Sequence, residues 1–146
     1  MRILTHIALL LALVLCHACG LSPKQEDVSA EEQAMEETEV LVAELTEGAT
    51  SEVLADFGVV EPRSLSSLDI RIVNCTDSPI VLLDYETTCR CTTLEFDRAP
   101  IAEGGETIAV LTFDSRGEWG SVGNFLSIVT SNEECTIVVW MSAHVE

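Results

Sequence analysis

The chain has 146 residues and a formal net charge of -18 at pH 7, with seven Lys and Arg against 25 Asp and Glu. The basic residues stand apart from one another. We therefore expect neither a nucleic-acid partner nor purely electrostatic binding to an anionic membrane. The length suits one domain of ordinary size.

The first twenty residues are typical of an export signal. Arg2 precedes an unbroken apolar run at residues 7–15, which is too short to cross a bilayer, and Ala18-Cys19-Gly20 follows. We expect residues 1–18 to be a signal peptide and Cys19 to be the lipidation site of an extracytoplasmic protein of the bacterial cell envelope. Membrane attachment would then depend on the lipid alone. Ordinary cleavage gives the same mature start and leaves a secreted domain without lipid.

Residues 19–50 predict a lipid-anchor cysteine followed by an acidic linker. Between Lys24 and Gly48 there are nine acidic residues against one lysine, with few large apolar groups. A helix is the alternative, because Ser29 and Glu32 have the spacing of a capping box and Gly48 would end it. Like charges three and four residues apart weaken such a helix, so we favour the linker.

Residues 51–146 predict an all-β domain. Leu68, Ile70 and Ile72 alternate with Asp69 and Arg71, which is the pattern of a half-buried strand. Similar short runs recur between turn residues, at 53–60, 67–74, 80–87, 107–114, 125–130 and 136–145. Six or seven short strands in such a length favour an antiparallel β-sandwich of about seven strands.

A series of short motifs between residues 54 and 145 resembles a bacterial family called domain of unknown function 1573. The motifs that carry the resemblance are Asp56-Phe57-Gly58, Asp77-Ser78-Pro79-Ile80, Thr88-Cys89-Arg90-Cys91-Thr92, Ala102-Glu103-Gly104-Gly105 and Val129-Thr130-Ser131-Asn132. The resemblance implies an immunoglobulin-like sandwich related to Hydin-like domains, exported and often lipidated, and it implies no agreed activity. The family usually has glycine where Arg90 stands, and a glycine near Ala143.

Four cysteines remain once Cys16 is removed and Cys19 carries lipid, and they permit two disulfides. An immunoglobulin-like sandwich would bring Cys75 and Cys135 to one end, so we expect a structural bridge between them. Cys89 and Cys91 are then left with each other. In an extended strand their Cα atoms would lie near the upper limit for a disulfide, giving a strained and easily reduced bond.

Two other interpretations of the Cys89 and Cys91 pair stay open, an exchange-active dithiol and a thiolate metal site. The metal site lacks a second cysteine or histidine pair, because His144 is the only histidine after residue 18. We therefore expect no metal and no cofactor. The same shortage of histidine disfavours a catalytic triad, so we expect no enzyme and no catalytic residues.

Trp119 lies in a glycine-spaced loop and Arg90 between the two cysteines. Each is a candidate for contact with a partner, although a single loop tryptophan more often packs down over the open end of a sandwich. The sequence thus favours a non-enzymatic binding or assembly module of the cell envelope, whose partner is an envelope protein or a glycan. The alternative is a thiol-redox protein that uses Cys89 and Cys91.

Overall fold

A computed structural model describes residues 40–146, in which every regular element is a β-strand. The strands in chain order are β1 (Leu41–Leu45), β2 (Ala49–Val60), β3 (Leu65–Asn74), β4 (Leu82–Thr87), β5 (Thr92–Phe96), β6 (Glu106–Asp114), β7 (Gly120–Thr130) and β8 (Cys135–Val145). The predicted signal peptide, Cys19 and most of the predicted linker lie outside the described residues. Within residues 40–146 no helix is long and apolar enough to span a bilayer.

The strands form two four-stranded sheets, which supports the predicted sandwich. The first sheet has the order β1-β3-β6-β5 and the second the order β2-β8-β7-β4. The two N-terminal strands pair in parallel, β1 with β3 and β2 with β8. The other pairs are antiparallel. The sandwich is therefore mixed and eight-stranded, where the sequence predicted an antiparallel sandwich of about seven strands.

The extra strand is β1, which belongs to the segment predicted as linker. Leu41 pairs with Ile70 and Leu45 with Asn74, and both Ala43 and Leu45 are fully buried. The boundary expected at residue 51 thus lies too late in the chain. Burial of two apolar side chains and pairing with β3 stabilise this strand by more than the neighbouring acidic residues destabilise it.

Alternation along each strand places the core between the sheets. On β3, Ile70 and Ile72 are fully buried while Asp69 faces solvent, as the sequence pattern predicted. Leu111 of β6 and Val139 of β8 approach from the two sheets into the same cluster. A smaller cluster around Phe113 includes Val60, Met141, Ala143 and Val145 and lies under the loops at one end.

The two ends of the sandwich carry different loops. The disulfide end is formed by residues 61–64, 88–91 and 115–119, and the Asn74 end by residues 46–48, 75–81, 97–105 and 131–134. At the second of these, Asn74 is fully buried and its amide nitrogen donates to the carbonyls of Ser78, Ile101 and Ala102 at 2.8 to 3.2 Å. Its Oδ1 accepts from the backbone N–H and the hydroxyl of Thr76. One side chain thereby ties two loops together.

Both edge strands of the second sheet are irregular. The pairing register shifts on β2 between Asp56 and Val59, where Gly58 has a φ of 63°, and on β4 between Leu82 and Asp84. Such bulges bend an edge strand and interrupt its free hydrogen-bonding groups. The edge strands of the first sheet, β1 and β5, have five residues each.

Candidate functional site at the disulfide end

Cys89 and Cys91 are joined by a disulfide in a turn between β4 and β5. The Cα atoms are 5.2 Å apart, within the usual range for disulfides. The expectation of an extended strand here is wrong, because the chain turns as it passes from one sheet to the other and the Thr92 N–H donates to the carbonyl of Cys89.

Side-chain hydrogen bonds hold the disulfide loop, residues 88–91, against β7. The Asn124 amide donates to Cys91 Sγ at 3.4 Å and to Thr92 Oγ1 at 3.2 Å, and Thr88 Oγ1 donates to the carbonyl of Phe125. Cys91 also packs against the cluster around Phe113. The loop is therefore fixed both covalently and by its neighbours.

Glu118 brings a carboxylate to the disulfide. A carboxylate oxygen of this residue and the two sulfurs of Cys89 and Cys91 lie within 4.8 Å of one another, and all three side chains are partly buried. While the sulfurs share a bond they do not offer the thiolates that bind zinc or copper. In the oxidised state this group is therefore an acid beside a disulfide.

Trp119 projects from the same end. Its side chain is 76% exposed, and Gly117 and Gly120 on either side of it have φ angles of 87° and 70°. Glycine adopts these angles without steric cost, so the loop can turn sharply and present the indole outward. The more common arrangement for a loop tryptophan, packing down over the core, does not occur here.

Three of the five positive side chains in the described residues lie at this end, on Arg63, Arg90 and Arg116. Arg116 is paired with Asp114, and its hydrogen bonds lower the pKa of that carboxyl. Within residues 40–146, Arg63 and Arg90 make no ion pair.

Arg90 occupies the position where the family that the motifs resemble usually has glycine. It is exposed, and Arg63, not Arg90, is the non-glycine residue with positive φ in the described part of the chain. The arginine is thus accommodated without a left-handed backbone. Its side chain lines a groove of about 450 Å³ on the first sheet, together with Arg116, Cys91 and Thr112.

The expected bridge between Cys75 and Cys135 is not formed, and both thiols are free. The two residues do lie at the same end, because Cys75 N–H donates to Leu45 O and Gly48 N–H donates to Glu134 O. However, Cys75 faces solvent whereas Cys135 points into the core. Burial raises the pKa of the Cys135 thiol, with a further contribution from Glu47 and Glu134.

Sequence reasoning missed Glu118 and Asn124 as neighbours of the disulfide. Both are more than 25 residues away along the chain, and they reach the loop because β7 lies beside β4. Glu118 is adjacent to Trp119 in the glycine-spaced loop, which is the one local signal that pointed to this segment.

A comparison against protein families identifies the family of this domain. The family described as "Protein of unknown function (DUF1573)" matches residues 49–145. The chain belongs to this family. No curated protein matches the chain.

One solved structure supports the fold. A protein of unknown function from Porphyromonas gingivalis W83 is similar over 78% of this chain, with 21% identity and a TM-score of 0.55. This chain spans about half of that protein, since 51% of its length is covered. Two Vibrio cholerae proteases have lower TM-scores and carry no argument. The secreted serine protease VesC has a TM-score of 0.46 and 15% identity, over 62% of this chain and 21% of that protein. The VesB protease has a TM-score of 0.49 and 9% identity, over 64% of this chain and 30% of that protein.

Proposed function

We propose that this protein is a non-enzymatic binding or assembly module of the bacterial cell envelope, held at a membrane by lipid on Cys19. The observation that carries the proposal is Trp119, a large aromatic side chain that is 76% exposed at the end of the sandwich where the loop is held by a disulfide. Tryptophan and arginine are the residues most enriched among those that dominate binding energy.

The disulfide end has the properties of a preformed contact surface. The loop of residues 88–91, which carries Arg90, is already fixed by a covalent bond and by Asn124, so it loses little conformational freedom on binding, which lowers the cost of association. Arg63 and Arg90 add positive charge without an ion-paired carboxylate of the described residues. The partner that fits is an envelope protein or glycan with acidic groups beside an apolar or flat surface for the indole.

Replacement of Trp119 tests the contact surface. Recovery of partners from envelope extract by the Trp119→Ala protein should fall about tenfold or more relative to the unchanged chain, while thermal stability stays the same because the side chain is exposed. Val42→Ala is a matched control, since Val42 is an exposed apolar residue on the first sheet, away from this end. Equal recovery of the same partners by all three proteins would remove Trp119 from the binding surface.

The anchor has its own test. Mass spectrometry of the N-terminal peptide from protein purified in its native envelope should show a lipid adduct on Cys19. An unmodified Cys19 would leave the binding proposal intact but would make the protein a secreted domain.

A second candidate is thiol-disulfide exchange, which the closeness of Glu118 to the disulfide favours. The disulfide would accept two electrons from a substrate dithiol, which becomes a disulfide while Cys89 and Cys91 become thiols, and Glu118 would exchange protons with them. The negative carboxylate also disfavours the thiolate that this chemistry needs, so we rank the candidate second. If thiol-disulfide exchange is the function, oxidation of a substrate dithiol must be lost in both the Cys89→Ser and the Cys91→Ser variants.

A further inference from the structure

The outer face of the second sheet carries an apolar stripe with acidic residues on both sides. We propose that this face binds an amphipathic α-helix of a partner protein, one with a stripe of large apolar side chains flanked by lysine or arginine. This surface includes neither Trp119 nor Arg90, although its recess adjoins the disulfide loop at Thr88, and it would give the protein a second partner site of opposite charge preference.

The apolar stripe follows from the pairing register. Leu54 of β2 lies opposite Trp140 of β8, which lies opposite Phe125 of β7, so the three side chains form one row across the sheet. Leu54 is 78% exposed, Trp140 44% and Phe125 38%. The Trp140 and Phe125 ring centroids are 5.2 Å apart, which fixes the two rings against each other.

A recess lies beside the aromatic pair. It measures about 370 Å³ and is lined by Thr88, Gly123, Asn124, Phe125, Trp140 and Met141. Gly123 opens this space, because a Cβ there would meet nothing closer than the Met141 carbonyl oxygen at 3.7 Å. The recess is large enough to accept one large apolar side chain from a partner.

Acidic residues border the stripe on both edge strands. In the row next to the aromatic pair, Glu52 of β2 lies opposite Val138, Val138 opposite Ser127, and Ser127 opposite Glu86 of β4. Asp56 continues the acidic border on β2, and its hydrogen bonds from Gly58 N–H and Ser142 Oγ lower its pKa and keep it ionised.

This charge pattern selects the occupant. A second copy placed face to face would bring acidic borders together in a protein of net charge -18, and that repulsion disfavours self-association. A partner with basic residues on both sides of an apolar stripe would instead neutralise both borders. Charge complementarity of this kind also excludes an anionic lipid surface as the occupant.

The geometry favours a helix over a strand. β7 and β8 are paired on both sides, so the face offers side chains and no free backbone groups to which a strand could add. The distance from β2 to β4 covers three interstrand spacings, roughly 14 Å in all. An α-helix with its side chains is about 10–12 Å wide and satisfies its own backbone hydrogen bonds. One helix that lies along β7 and β8 therefore fits between the β2 and β4 borders, where it covers Trp140 and Phe125 and crosses the row that Leu54 begins.

The test uses the full chain and two synthetic 18-residue helices labelled with fluorescein, one built from leucine and lysine and the other from leucine and glutamate in the same pattern. Fluorescence anisotropy should show binding of the leucine-lysine helix, weakened by added salt, and at least about tenfold weaker binding of the leucine-glutamate helix. Trp140→Ala should raise the Kd for the leucine-lysine helix about tenfold or more.

A second variant keeps the test valid if Trp140→Ala folds poorly. Gly123→Val fills the recess at a position with no positive φ and no close neighbour, so it should leave the fold intact and still weaken binding severalfold.

The acidic borders need a charge-matched control. Glu52→Gln with Glu86→Gln should weaken binding, whereas Asp69→Asn with Glu95→Gln should not. The control pair flanks Val110 on the outer face of the first sheet and removes the same two charges.

Three results would overturn the proposal: equal affinity of the unchanged chain and the Trp140 and Gly123 variants, equal effects of the two charge pairs, or self-association in sedimentation that Trp140→Ala abolishes. None of these results bears on Trp119, so the proposals for the two surfaces are tested separately.

Discussion

The two ends of the sandwich are closed by different chemistry. At the Asn74 end, the buried side-chain amide of Asn74 donates hydrogen bonds to two loops and accepts hydrogen bonds from Thr76. At the disulfide end, the buried hydroxyl of Ser115 joins two loops by donating to the Glu61 carbonyl and accepting from the Ser64 N–H, and a bond between Cys89 and Cys91 fixes the third loop. Arg90 and Trp119 remain turned to solvent. At the Asn74 end one buried amide makes most of the side-chain hydrogen bonds between loops, whereas at the disulfide end a hydroxyl and a covalent bond share this role and leave Arg90 and Trp119 available for contact.

Replacing the asparagine at each end tests this difference between the two ends most directly. Asn74→Ala should lower the free energy of unfolding by about 3 kcal/mol, because the buried Thr76 N–H loses its acceptor and the carbonyls of Ser78, Ile101 and Ala102 each lose one of their two donors. The matched change Asn124→Ala should cost about 1 kcal/mol, since Asn124 is only partly buried and its partners are Cys91 and Thr92. Urea denaturation of both variants measures the difference, and equal losses would mean that the two ends do not differ in this way.

Removal of the disulfide should have a smaller effect than loss of Asn74. The bond closes a loop with a sequence separation of two, so the chain-entropy model gives it only about 1–2 kcal/mol. The Cys89→Ser, Cys91→Ser double variant should therefore remain folded, with a modestly lower urea midpoint. If it unfolds completely, the disulfide is a structural requirement of the domain and not only a local constraint on a contact loop.

Much of the fold was predictable from local patterns. Alternation at Ile70 and Ile72 identified the inward face of β3, and the spacing of turns gave the all-β class. β1 was missed because five residues next to an acidic run carry little local signal. Its position depends on parallel pairing with β3, a contact between segments almost thirty residues apart that no periodicity reveals.

The candidate site was predictable in part. The sequence identified Cys89, Cys91, Arg90 and Trp119, but not that they share one end with Glu118, because that proximity is set by the order of the strands. The expectation for Cys75 and Cys135 placed them correctly at one end. It was wrong about the bond, since which side of a strand or loop each thiol faces depends on register, and one faces solvent while the other lies in the core.

The irregular and short edge strands have a consequence for assembly. Uninterrupted edges invite other chains to add as further strands, and recognition through backbone hydrogen bonds is tolerant of sequence. Here two edge strands are bulged and the other two have only five residues each. Such a domain can be present at high concentration without forming continuous sheets, and any binding to it must depend on side chains.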